Sequence, residues 1–248
     1  MRAERNRRTL GILLVAAAVS SFAGCGSSDG PNSPPFTSSD SWVRAECLMG
    51  TYLPEQVGEK VAGKPPPNRW SKIEEAAGAL VPDRGAVEVM IRPVEKSETI
   101  TFTGIDLEVQ QHRLRPTGTV FYHPCNRRLR GPVIEVDVDG SGEIASSSTE
   151  EELEPGLQIS ASASPIKFPW TVRLRKPIHL YLVAHTENCY CSWSARMRWE
   201  SDSSHGAIRI DNGSEKYTMT DSIGAVWQRP GPGGRWVQML PPLWTGVR

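Results

Sequence analysis

The chain has 248 residues, of which 38% are hydrophobic, and its 28 basic side chains are balanced by 28 acidic ones. That balance gives no reason to expect nucleic acid or an anionic surface as a partner. The length suits one all-β domain with a sizeable core, and leaves no need for several.

In chain order, the first element is an export signal. Arg2, Arg5, Arg7 and Arg8 precede the apolar run from Thr9, and small residues lead to Phe22-Ala23-Gly24-Cys25. A basic start, a short apolar centre and a small-residue cleavage site are the features of a secretory signal. The run is shorter than the roughly 20 apolar residues a spanning helix needs. Residues 1–24 are therefore expected to be removed. Phe22-Ala23-Gly24-Cys25 resembles the lipobox of bacterial lipoproteins, in which Cys25 carries the lipid. Without residues 1–24 the chain keeps 24 basic and 27 acidic side chains, a net charge of −3. Acyl chains contribute about 0.8 kcal/mol per buried CH₂, so two or three of them would hold the protein at the extracytoplasmic face of the cell membrane.

Residues 25–41, rich in Gly, Ser, Pro and Asp, read as a flexible tether. Residues 42–85 read as an irregular segment packed on the domain, broken by Pro65-Pro66-Pro67. Within it a short helix is expected from about Ser71, with Glu74 placed for a capping box. From Ala86 the apolar period becomes two. Ala86–Ile91 alternates, as does Thr99–Val109, with a possible bulge at Gly104. Ile134, Val136 and Val138 share one face, opposite Glu135, Asp137 and Asp139. Val172 and Leu174, then Leu180, Leu182 and Ala184, continue the inward row. Cys191, Trp193, Ala195, Met197 and Trp199 alternate with Ser192, Ser194, Arg196 and Arg198, and Ile208 and Ile210 close the pattern. Eight to ten short strands with Gly, Pro, Asn and Ser between them point to a mainly β fold. The expected architecture is an antiparallel β-sandwich, Ig-like, over residues 86–228. Residues 229–248, rich in Pro, Gly and Trp, read as an irregular extension.

Besides Cys25 there are four cysteines, Cys47, Cys125, Cys189 and Cys191. An even number in an oxidising compartment makes two disulfides the default. Alternate strand residues lie some 6–7 Å apart, which disfavours a Cys189–Cys191 bridge. Cys125 is then expected to pair with one of that couple and Cys47 with the other.

Cys189-Tyr190-Cys191-Ser192-Trp193, followed by Gly206-Ala207-Ile208-Arg209-Ile210-Asp211-Asn212-Gly213, resembles a recurring pattern of a C-x-C-x-W motif and a later G-x-x-R-I-D run. The pattern is that of uncharacterised extracytoplasmic domains of actinobacteria, found in lipoproteins and behind single membrane helices. The similarity takes in Thr103-Gly104-Ile105, Cys125 and Ile134–Asp139, and covers roughly residues 85–220. It implies a disulfide-stapled β domain and no particular reaction.

Asp137-Val138-Asp139-Gly140-Ser141 places oxygen ligands at alternate positions before a glycine-rich turn, as a calcium loop does. Ser148 stands where the bidentate Glu belongs and no helix is expected beside it. Asp137, Asp139 and Ser141 are therefore read as a strand end running into a turn, and no metal or cofactor is expected. Ser164-Pro165-Ile166-Lys167 matches an S-x-x-K motif, but its prolines oppose the helix that motif requires. His179 and His185 share an alternation face and His123 sits beside Cys125, positions that suit strands and surface better than a metal. Trp170, Trp193 and Trp199 read as core, and Trp227, Trp236 and Trp244 as packing over an edge. Without a catalytic motif, the expected function is a lipid-anchored binding module that meets an envelope protein or a cell-wall component. The competing expectation is a hydrolase-like envelope enzyme whose site is assembled from distant residues.

Overall fold

A computed structural model describes residues 34–43, 50–67, 71–74, 76, 78–94, 98–122, 128–129, 131–139, 144–145, 158–159 and 166–241. The first half of the chain contributes β1 (Phe36–Trp42), β2 (Thr51–Pro54), α1 (Glu55–Ala62), α2 (Ser71–Glu74), β3 (Val81–Pro82), β4 (Arg84–Pro93), β5 (Glu98–Gln111) and β6 (Gly118–Phe121). The short strands β7 (Arg128–Leu129), β8 (Val133–Asp137), β9 (Ile144–Ala145) and β10 (Gln158–Ile159) follow. Next come β11 (Trp170–Leu174), β12 (Ile178–His185), β13 (Tyr190–Glu200) and β14 (His205–Ile210), then β15 (Tyr217–Thr220), β16 (Val226–Pro230) and β17 (Trp236–Met239). The fold is mainly β.

Two large sheets build the core. One runs β1-β4-β12-β8-β9; the other runs β11-β5-β13-β15-β3, with β14 also on β13. The period-two rows are what join them. Val87, Val89 and Ile91 of β4 and Leu180, Leu182 and Ala184 of β12 meet Trp193, Ala195, Met197 and Trp199 of β13 in one buried cluster. Ile134, Val136, Ile208 and Ile210 enter the same cluster, as their alternation predicts. Each buried apolar side chain of this size contributes about 1.5–3 kcal/mol. The expected bulge is present: Arg198 registers with Gly104 but Trp199 with Phe102, so Thr103 is the extra residue. Gly104 leaves room for the Arg198 guanidinium, which would lie 2.6 Å from a Cβ there.

The pairing is mixed rather than purely antiparallel. β8 runs parallel to β12, β3 to β15, β16 to β6 and β10 to β7. A parallel neighbour needs a crossover and leaves no turn signal in the sequence, so alternation alone reads as antiparallel. A four-stranded sheet, β17-β16-β6-β2, carries α1 and a separate small core of Leu53, Ile73 and Phe121.

Three boundaries differ from the sequence reading. Residues 36–41, assigned to the tether, form β1, because Phe36 and Trp42 lie on one face of the strand. Phe36 is 1% exposed and packs edge-on to Trp199, while Trp42 packs against Trp193 and Tyr217. The segment 42–85 is more regular than expected: it contains β2, α1 and β3 besides the expected helical turn at Ser71. Residues 229–241 complete a hairpin, with Trp227 opposite Met239 and Pro230 opposite Trp236. Among the described residues no helix is long and apolar enough to cross a membrane.

Candidate functional site

Four connections meet at one end of the two large sheets, and aspartates hold them together. β8 delivers Asp139 one residue beyond its inward-facing Val138. The Asp139 carboxylate accepts hydrogen bonds from the Thr186 hydroxyl and the Glu187 and Asn188 amides, in the turn between β12 and β13. Asp137 accepts a bond from the Asp139 amide at 2.8 Å. The candidate calcium ligands are thus spent on backbone donors, and Asp139 acts as a loop clamp. Ser141 lies outside the described residues. Among the described residues no three His, Cys, Asp or Glu side chains could hold a metal ion together.

Asp83 makes the turn from β3 to β4 with a left-handed backbone, φ 50°. Aspartate tolerates that region better than most residues, and the strain has to be held by its surroundings. Here three segments hold it. Its amide donates to the Thr220 carbonyl at 2.8 Å, its carbonyl accepts from the Thr186 amide at 2.8 Å, and its Oδ1 accepts from the Ser222 amide at 2.6 Å. Its Oδ2 is buried with no hydrogen-bond partner among the described residues. Burial pushes the Asp83 carboxyl up to about 6; the Ser222 bonds oppose the rise and the neighbouring Asp221 charge adds to it.

Asp221, 1% exposed, forms an ion pair with Arg115 at 2.7 Å and accepts from the Ile223 amide at 3.0 Å. Burial raises its carboxyl above the ordinary range, while the Ile223 amide and Arg115 hold it back. Arg115 also donates to the Asn188 carbonyl at 3.0 Å. The next residue, Pro116, accepts from the Tyr52 hydroxyl at 2.5 Å, which binds the small sheet to the same end. Burial, with the Asp221 charge second, raises the Tyr52 hydroxyl.

The cysteines stand inside this end. The Cys189 and Cys191 sulfurs face each other, their Cα atoms 5.4 Å apart, with the Val138 carbonyl oxygen 3.8 and 3.9 Å from them. The sequence argument against this approach assumed two residues of one regular strand. Cys189 instead belongs to the turn before Tyr190, where the Thr186 hydroxyl accepts its amide at 3.0 Å. Their Cα separation is within the range a disulfide spans. Cys25, Cys47 and Cys125, like His123 and Trp244, lie outside the described residues.

On the opposite face of β13, His112 Nε2 lies 2.8 Å from Ser192 Oγ, and Ser192 Oγ lies 3.0 Å from Thr218 Oγ1. Sequence reading missed this pair because the two residues are eighty positions apart; only the register of Ser192 with Gln110 brings them together. Ser192 sits in the middle of a sheet, between β5 and β15, so its flanking amides are committed to ladders. His179 pairs with Glu88 at 2.7 Å on the surface, far along the chain from His112 and making no cluster with His185. Trp193, Trp199 and Trp227 are buried, and Trp170 and Trp236 pack against buried rings.

What the end presents outward is apolar. Leu114, beside Arg115, is 84% exposed, and Ile223, two residues after Asp221, is 64% exposed. The buried ion pair therefore ties together two loops that each hold one large apolar side chain in water. No protein-family model, curated protein or solved structure matches this chain.

Proposed function

We propose that this chain is a lipid-anchored, extracytoplasmic binding module of the cell envelope, displaying Leu114 and Ile223 at the end of the domain away from its anchor. The placement of those two side chains carries the reading. β1 starts at Phe36, in register with Pro93, whereas Asp83 and the loops lie at the start of β4. Ten strand residues at about 3.3 Å each put roughly 30 Å between the two ends. A lipid on Cys25 would enter at the Phe36 end and leave the Leu114 end facing outward. Single exposed apolar residues are ordinary on protein surfaces. These two differ in that a buried Arg115–Asp221 pair fixes the loops bearing them, and preorganised loops cost less entropy on binding. The partner is an envelope protein or a cell-wall component. An Ig-like sandwich of the actinobacterial extracytoplasmic kind belongs to the same proposal, supported by the core shared between the large sheets and by the Cys189–Trp193 motif.

Crosslinking in intact membranes tests it. The wild-type chain should capture a partner, and Leu114→Asp with Ile223→Asp should lose it while remaining in the membrane fraction with an unchanged melt. An identical crosslinking pattern in the double variant would refute the reading. The His112–Ser192 hydrogen bond favours a second reading, a hydrolase-like enzyme with Ser192 as nucleophile and His112 as base. Labelling of Ser192 by a fluorophosphonate, lost in His112→Ala, would select it.

A further inference from the structure

We propose that Asp83 is an acid-responsive latch on the loops that carry Leu114 and Ile223: its protonated carboxyl holds the turn after β15 closed, and its ionised form lets that turn open. The regulatory meaning rests on the binding reading above; the latch does not.

Three observations meet at Asp83. Its backbone is in a left-handed conformation that only its contacts with Thr220, Thr186 and Ser222 maintain. One carboxyl oxygen holds the Ser222 amide, and the other is buried without a partner among the described residues. A buried acceptor left unmatched is tolerable on a neutral carboxyl and costly on a carboxylate. The turn it holds, Ser222 to Ala225, is closed by an Ala225 amide bond to the Ser222 carbonyl and carries Ile223 at its tip.

The surrounding charges set the direction. From the end of β15, Asp221 faces Asp83 and repels its charged form. Arg115, from the β5–β6 loop, is engaged by Asp221 and so does not neutralise Asp83. Asp139, from the end of β8, raises Asp221 in turn. Glu55, at the start of α1, and the Tyr52 hydroxyl lie on the side of the small sheet. Arg84, the next residue, turns to Glu135 on β8 at 2.9 Å. Three carboxylates thus share one close cation. Loss of the Asp83 proton adds a third negative charge to a water-poor site. The simplest relief is for the Ser222–Ala225 turn to lift and admit water, which would release Ile223 from the Arg115 loop.

Hydrogen exchange and NMR on the full chain read this directly. The opening equilibrium of the Ser222–Ala225 amides, corrected for intrinsic exchange, should be about tenfold larger near pH 7.5 than near pH 5. Asp83→Asn keeps the Oδ1 acceptor and tolerates the left-handed backbone, so it should show the small value at both. A pH-independent opening in the wild type, or the same pH dependence in Asp83→Asn, overturns the proposal. Should the variant misfold, the wild type still decides: the Asp83 carboxyl carbon and the Ile223 and Gly224 amides should titrate with one midpoint, and separate midpoints overturn it. Leu114→Asp should abolish partner capture and leave this titration intact, so the two readings fail separately.

Discussion

The inward face of β13 and the loop end beside it are neighbours in space and opposites in construction. On β13, Cys191, Trp193, Ala195, Met197 and Trp199 are consecutive inward positions of one strand, all buried in one cluster. At the loop end, Asp83, Asp139, Arg115 and Asp221 come from four separate connections and meet through hydrogen bonds. The first region is held by area removed from water, the second by directional bonds to backbone amides. Area tolerates small shifts, whereas an amide left without its carboxylate does not. The core should therefore dominate stability and the loop end should dominate local order.

Trp193→Ala is expected to have the largest effect. Removing a fully buried indole that packs on Trp42 and Tyr217 should cost about 3–5 kcal/mol in urea unfolding. A smaller effect than that of any loop-end variant would reverse the comparison. Asp139→Ala comes next, at about 1–3 kcal/mol, since the Thr186, Glu187 and Asn188 donors lose their acceptor together. Calcium titrated into the wild type should leave its melting temperature unchanged, because that carboxylate is already occupied. A calcium-dependent rise in melting temperature that disappears in Asp139→Ala would return Asp139 to the metal reading.

The smallest effect sharpens the comparison most. Folded Asp83 holds its proton up to about pH 6, against an ordinary value of 3.8. Between those values the folded chain binds more protons than the unfolded one, so stability falls as pH rises through the window and then levels. Asp83→Asn should match the wild type near pH 4 and exceed it by on the order of 1 kcal/mol above pH 6. Equal stability profiles across that window would show that the buried oxygen finds a partner in solution.

The two regions also differ in how far a sequence reveals them. Alternation is a local signal, and the inward rows of β4, β5, β12, β13 and β14 follow from it residue by residue. The bulge at Gly104 was legible for the same reason. β1 was hidden because Thr37, Ser38, Ser39 and Ser41 give it the composition of a linker, with only Phe36 and Trp42 marking its inner face. α1 follows Pro54 without a side-chain cap, so the start signal that would have announced it is missing. Parallel pairing of β8 with β12, the three-aspartate end and the His112–Ser192 contact all depend on register between distant segments. None of these leaves a local pattern, and without the register no spacing rule predicts them.

The order in which strands enter the large sheet has a consequence for folding. β5 waits for β13, which is made some eighty residues later and pairs with it along nearly its whole length. Tyr217 closes on Asp40 across 177 residues. Topologies dominated by such distant pairings fold in about milliseconds to seconds, against microseconds for local ones. Until β13 arrives, the long β5 edge is an open template for other chains. The protein is most vulnerable to aggregation while its first two-thirds are complete and its last third is missing.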